Sequence, residues 1–232
     1  MEYIITLLIM IAVYVAVIYL MKYMRNTKLY NLIFVLIVYV LYVWLVWTVY
    51  SDVGFYDWNF QNTLPMANVS PFMFSIVPLT LIPIPWLRKR LWLLISLLSV
   101  GMFLSTVLGC VYNAAIDYKF HIHFCFDYVS HFALSLFGVY LIRSRQVELR
   151  ARECIESGAL IIGAAIVMMM LNVALDTAFF GLSLNGKHNI YNNVLVESSY
   201  LSAILYFVGL AGVLCLGFVY GKLFDKDKFS IK

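Results

Sequence analysis

The chain has 232 residues, 64% of them hydrophobic and 12% charged, with a formal net charge of +4. A soluble domain carries about 25% charged residues, so this composition excludes a soluble globular protein and implies one that is built into a bilayer. The small positive excess sits at the ends of apolar stretches, where membrane topology and anionic headgroups account for it, and it gives no reason to expect a nucleic-acid partner.

Seven apolar stretches follow one another, at Tyr3–Met21, Asn31–Tyr50, Pro71–Leu87, Leu91–Val111, Phe124–Ile142, Gly158–Phe180 and Ser199–Gly221. About twenty apolar residues cross the hydrocarbon core as a helix. Between them, fourteen of the sixteen Lys and Arg residues fall into four clusters: Lys22/Arg25/Lys28, Arg88/Lys89/Arg90, Arg143/Arg145/Arg150/Arg152 and Lys222/Lys226/Lys228/Lys232. Basic connections stay in the cytoplasm. The pattern predicts an all-α, single-domain bundle over residues 1–232, with seven transmembrane helices, the N-terminus outside and the C-terminus cytoplasmic. A multi-pass protein of the cell membrane follows, with membrane lipids as its surroundings and a membrane-protein partner or a second copy as a possible neighbour.

The first stretch lacks a basic leader and a small-residue cleavage site, and it reads as a retained helix. It and the second stretch are almost purely apolar, which predicts lipid-facing or packing helices. The connection Ser51–Ser70 carries Asp52 and Asp57 and no base. In the third stretch Pro78 lacks an N–H, which deprives the Phe74 carbonyl of its helical partner and predicts a kink beside Ser75. Pro83 and Pro85 predict further breaks, and Arg88–Arg90 a tight cytoplasmic turn. In the last stretch Gly217 and Gly221 make a small-xxx-small pair, the signature of close helix packing, and Gly209, Ala211 and Gly212 point the same way.

A polar side chain in hydrocarbon is costly and needs a partner or a task. Such residues concentrate in the third to sixth stretches at one predicted depth, the outer leaflet: Ser75, then Thr106, Cys110 and Asn113, then Asp127 and His131, then Asn172 and Asp176. Asp127, His131 and Ser135 are spaced i, i+4, i+8, which stacks them on one helix face. A carboxylate that accepts from one imidazole nitrogen leaves the other as a base. Asp127 or Asp176 is placed to orient His131 in this way. Ser75 is the candidate nucleophile, and the same residues also fit a satisfied hydrogen-bond network between helices. His121, His123 and Cys125 enter a helix, where i, i+2 side chains diverge, so no metal site and no cofactor are expected.

Three strings carry a resemblance. SPFMFSIVPL, residues 70–79, and DYVSHFALSLFGVYLI, residues 127–142, together with LNVALDTAFFGL, residues 171–182, resemble motifs of the YwaF-like family of integral membrane proteins, related to the transmembrane protein 164 family. Over residues 70–185, Pro71 matches the family's Pro and His131 its central His, while Asn172 matches its Asn. Met73 and Ser75 stand where the family has His and Cys. The resemblance implies a lipid acyltransferase or lipid ester hydrolase with Ser75 as nucleophile and His131 as base. Asp127 or Asp176 would orient the base, and Asn172 would stabilise the oxyanion. The other expectation is a non-enzymatic membrane subunit or a small transporter. The inner halves of the stretches are almost wholly apolar, which weighs against a transport path.

Overall fold

An apolar run in a bilayer finds no water for its backbone N–H and C=O groups, and the helix satisfies them within the segment. The computed structural model describes residues 2–51, 69–116, 122–175 and 199–225, and among them there is no strand. Helix α1 (Glu2–Leu20) closes in a 3-10 turn at Met21–Tyr23, followed by α2 (Thr27–Ser51). Helix α3 (Val69–Ile76) runs on as a 3-10 helix over Val77–Leu81. Then come α4 (Pro85–Ala115), α5 (Ile122–Arg143), α6 (Ala151–Leu175) and α7 (Ser199–Asp225). Five of these segments are long and apolar enough to cross a membrane: Glu2–Tyr23, Thr27–Trp44, Pro85–Ala115, Ala151–Ala174 and Ala203–Phe224. The connection Ser51–Ser70 lies almost wholly outside the described residues.

The third stretch differs from expectation. It is not one helix over Pro71–Leu87: the α-helix stops at Ile76, two residues before Pro78, and tightens to 3-10 geometry through Leu81. The backbone turns extended at Ile82 and Ile84, and α4 starts at Pro85. A proline at the first helical position needs no N–H partner and already has the helical φ, so Pro85 begins a helix where the sequence suggested a break. Arg88–Arg90 are consequently helical and not a turn. The Arg88 N–H already donates to the Ile84 carbonyl at 3.0 Å.

Helices α4 and α5 form the centre. α5 packs against α1, α2, α4 and α7, and α4 against α1, α5, α6 and α7. Leu93–Leu98 of α4 and Leu134, Phe137, Tyr140 and Leu141 of α5 are buried, and Phe34 of α2 stacks on Phe137 with ring centroids 5.5 Å apart. Small residues allow the close approach: a Cβ on Gly138 would lie 2.7 Å from Ser99 Cβ and 2.9 Å from the Ile95 carbonyl. The outward faces of α1, α2 and α7 are apolar, with Leu8, Val40 and Val219 each about 60% exposed, a surface suited to lipid and not to water.

The described members of the basic clusters, Lys222 for the last of them, meet at one pole of the bundle. Arg143 Nη1 donates to the Ile18 carbonyl at 2.9 Å, beside Lys22. Asn31 and Gln146 pair through both amides, at 2.5 and 3.1 Å. Lys89 bonds Glu153 at 2.7 Å, Arg90 bonds Glu156, and the Leu149 and Ile142 side chains fill the space in front of Gly221, next to Lys222. Helix α5 ends there in a reversed turn in which the N–H groups of Arg145 and Gln146 reach the Ile142 and Leu141 carbonyls. Arg145 takes φ 57°, a left-handed conformation that costs a non-glycine residue about 1–2 kcal/mol.

Candidate functional site

Toward the other pole His131 of α5 is buried, 8% exposed. Its Nδ1 lies 2.8 Å from the Asp127 carbonyl oxygen and 3.3 Å from Asp127 Oδ1. An ionised Asp127 offers Nδ1 two acceptors, so Nδ1 carries a hydrogen, and in the neutral ring Nε2 keeps the lone pair. The i, i+4 spacing thus places the Asp127 carboxylate and carbonyl against the same imidazole nitrogen. The backbone carbonyl of Asp127, which also accepts from Ser130 Oγ at 2.7 Å, shares the work with the carboxylate.

The ring facing His131 belongs to Phe74, not Ser75. Phe74 is 1% exposed and meets the imidazole edge-on, centroids 5.3 Å apart, with Tyr42 behind it at 5.4 Å. Successive residues of an α-helix point about 100° apart, so a helix that turns Phe74 toward His131 turns Ser75 away. The Ser75 hydroxyl donates to the Phe72 carbonyl at 2.7 Å, and among the described residues it makes no hydrogen bond to His131. Met73 is fully buried. Because Phe74 covers the imidazole, Phe74→Ala is expected to speed acylation of His131 by diethyl pyrocarbonate. The rise should be about tenfold, the equivalent of losing an aromatic contact of ~1.4 kcal/mol, read by mass spectrometry on the peptide containing His131.

The expected outer faces of α4 and α5 do meet. Asn113 Nδ2 donates to the Tyr128 hydroxyl at 2.6 Å, and Thr106 Oγ1 reaches the Met102 and Tyr128 carbonyls at 3.2 and 3.5 Å. Cys110 is buried on the same helix. Asn172 is 2% exposed, but its helix α6 packs against α4 and α7, whereas His131 sits on α5. Asp176 lies outside the described residues. Of the five predicted site residues, the structure brings Asp127 and His131 together, sets Ser75 beside the residue that touches His131, and places Asn172 on α6 as the sequence suggested.

The sequence reading missed a hydroxyl clasp. Tyr14 of α1, 4% exposed, bonds Ser135 of α5 at 2.8 Å and Tyr220 of α7 at 2.9 Å. Phe103 and Phe132 enclose it, with ring centroids 5.0 and 5.2 Å from that of Tyr14. The signal was a tyrosine in the middle of an apolar stretch, where the hydroxyl cannot reach an interface and must find a partner. Ser135, though stacked in sequence below His131, belongs to this clasp. Tyr14→Phe removes both bonds and is expected to lower stability by about 1–3 kcal/mol, read as an earlier thermal unfolding transition in detergent; Tyr220→Phe, which leaves Ser135 its partner, should lower it less.

Among the described residues no three metal-ligating side chains converge. Comparison with protein-family models, with curated proteins and with solved structures finds no match to this chain.

Proposed function

We propose that this chain is a multi-pass protein of the cell membrane, with seven crossings and its basic pole in the cytoplasm, that acts on membrane lipids as an acyltransferase or ester hydrolase. The observation that carries the reading is the orientation of His131 by Asp127, which holds a basic nitrogen inside a largely apolar bundle. In that reaction the Ser75 oxygen attacks an acyl carbonyl while His131 Nε2 takes the hydroxyl proton. The leaving alcohol then departs with that proton, and a second lipid hydroxyl or water takes the acyl group from Ser75. Asn172 is the donor to the oxyanion, and Asp176 a second group to orient the imidazole. The likeness of residues 70–185 to the YwaF-like family points the same way, with Ser75 in the place of its Cys and Met73 in the place of its His.

For this chemistry Ser75 must leave the Phe72 carbonyl and Phe74 must swing from the imidazole. The change from α to 3-10 geometry directly after Ile76 supplies a place for that rotation, since the two helices differ in winding per residue. A second reading rests on the same geometry at rest: Ser75 is bonded within its own helix and Ser135 within the clasp, as in a non-enzymatic membrane subunit whose polar groups hold helices together. Buried Ser96 and Ser99 likewise bond backbone carbonyls. The deciding experiment measures acyl transfer and hydrolysis of vesicle phospholipids by the purified wild type, Ser75→Ala and His131→Ala. Loss in both variants supports the enzyme, and equal rates in all three establish the subunit.

A further inference from the structure

The basic pole is not uniformly basic. On its α4–α6 side every described carboxylate is engaged: Glu153 with Lys89, Glu156 with Arg90 and Arg152, and Glu148 with Arg150. The opposite corner, formed by the α1–α2 turn and the end of α5, is different. No Asp or Glu occurs between Glu2 and Asp52, or between Asp127 and Glu148. Lys22, Arg25, Lys28 and Arg145 have no ion-pair partner among the described residues, and Lys22 Nζ rests only on the rings of Tyr19 and Tyr23, 4.8 and 4.9 Å from their centroids.

Two features make this corner a built site and not a loose collection of charges. The turn and the helix end are fastened to each other by the Arg143–Ile18 bond and by the paired amides of Asn31 and Gln146. Arg145 takes a left-handed conformation, φ 57°, at the position of a helix end where glycine is the unstrained choice. The strain holds an exposed guanidinium beside the fastened turn. Exposed Tyr23, Leu29 and Leu32 flank the corner, so a ligand there meets apolar surface next to positive charge.

We infer that Lys22, Arg25, Lys28 and Arg145 bind the phosphate of an anionic membrane phospholipid whose acyl chains lie along α1 and α2. Guanidinium and ammonium groups are the natural donors to a phosphodiester, and unneutralised cations at a membrane face attract anionic headgroups. The inference stands apart from the acyl-transfer reading, because this corner is at the opposite pole from His131.

Native mass spectrometry of the full chain in neutral detergent tests it, with phosphatidylglycerol and phosphatidylcholine as competing probes. Wild type should retain the anionic lipid with a preference of more than about tenfold, and the combined variant Lys22→Gln, Arg25→Gln, Lys28→Gln, Arg145→Gln should lose it. A control that removes as many cations from the same pole (Arg88→Gln, Arg150→Gln, Arg152→Gln, Lys222→Gln) should keep most of the preference. Arg145→Gly guards against misfolding: it relieves the left-handed strain, so it stays folded, and it should lower the preference about fivefold, one cation's share. An unchanged preference in both corner variants overturns the site, and so does an equal loss in the control. Displacement of the lipid by millimolar inorganic phosphate would overturn a lipid as the occupant in favour of a free phosphate.

Discussion

Replacing Gly217 by alanine is expected to disrupt the bundle, whereas the same change at Gly209 or Gly212 is expected to leave it intact or stabilise it. A Cβ built on Gly217 would lie 1.7 Å from the Leu97 carbonyl oxygen and 2.7 Å from its carbon. Both are backbone atoms of α4, which cannot move aside as a flexible side chain would. The two helices must separate, and Leu93–Leu98 would lose the contacts that bury them. Overpacking costs about 1–3 kcal/mol where side chains can adjust, and a clash with backbone belongs at or beyond the top of that range. Gly209 and Gly212 have nothing within 4 Å of a built Cβ, and alanine there gains about 0.5–1 kcal/mol of helix propensity. Thermal unfolding in detergent, followed by size-exclusion of the heated samples, reads both directions. A Gly217→Ala protein as stable as wild type would contradict the close approach of α7 to α4.

The second large effect tests the proposed acyl chemistry. His131→Ala should lower the rate of lipid acyl transfer by about a hundredfold or more, the usual contribution of a positioned general base. Ser75→Ala should leave only the background rate. Asp127→Asn should lose less, on the order of tenfold, for a structural reason. The Asp127 backbone carbonyl, 2.8 Å from Nδ1, still accepts in the variant, so the tautomer survives when the carboxylate at 3.3 Å is gone. What is lost is the carboxylate's stabilisation of the imidazolium formed as the proton arrives. Asp127→Asn with a loss as large as His131→Ala would mean that the carboxylate alone orients the ring. Circular dichroism of each variant must match wild type before rates are compared.

The charge pattern and the apolar stretches made the all-helical class and the bounds of the first and last helices legible, while α4 and α6 start six and seven residues before the predicted Leu91 and Gly158. Predicted Tyr3–Met21 and Ser199–Gly221 lie within helical Glu2–Tyr23 and Ser199–Asp225. Gathering of the described basic residues at one pole was legible for the same reason, since a charge at the end of a span has few places to go. The third stretch was misread because proline has opposite meanings inside and at the start of a helix: Pro78 ends α-helical geometry, while Pro85 begins α4. Tyr14 was missed because its partners lie 121 and 206 residues away in sequence, and a lone hydroxyl in an apolar stretch resembles an ordinary packing residue. The rotation that sets Phe74, and not Ser75, against His131 depends on how α3 is turned by Tyr42 and the core, which no local spacing encodes. Gly209 and Gly212 show the limit of composition: only Gly217 and Gly221 of that helix meet close neighbours.

Helix α4 runs for 31 residues, about 46 Å at the usual rise per residue, against a hydrocarbon core of about 30 Å. The surplus reaches into the headgroup layers or is taken up by tilt. A thicker bilayer therefore draws α4 upright and a thinner one leans it over. Asn113 and Thr106 of α4 hold Tyr128, one helical turn from His131 on α5, so the long helix is fastened to α5 beside the imidazole.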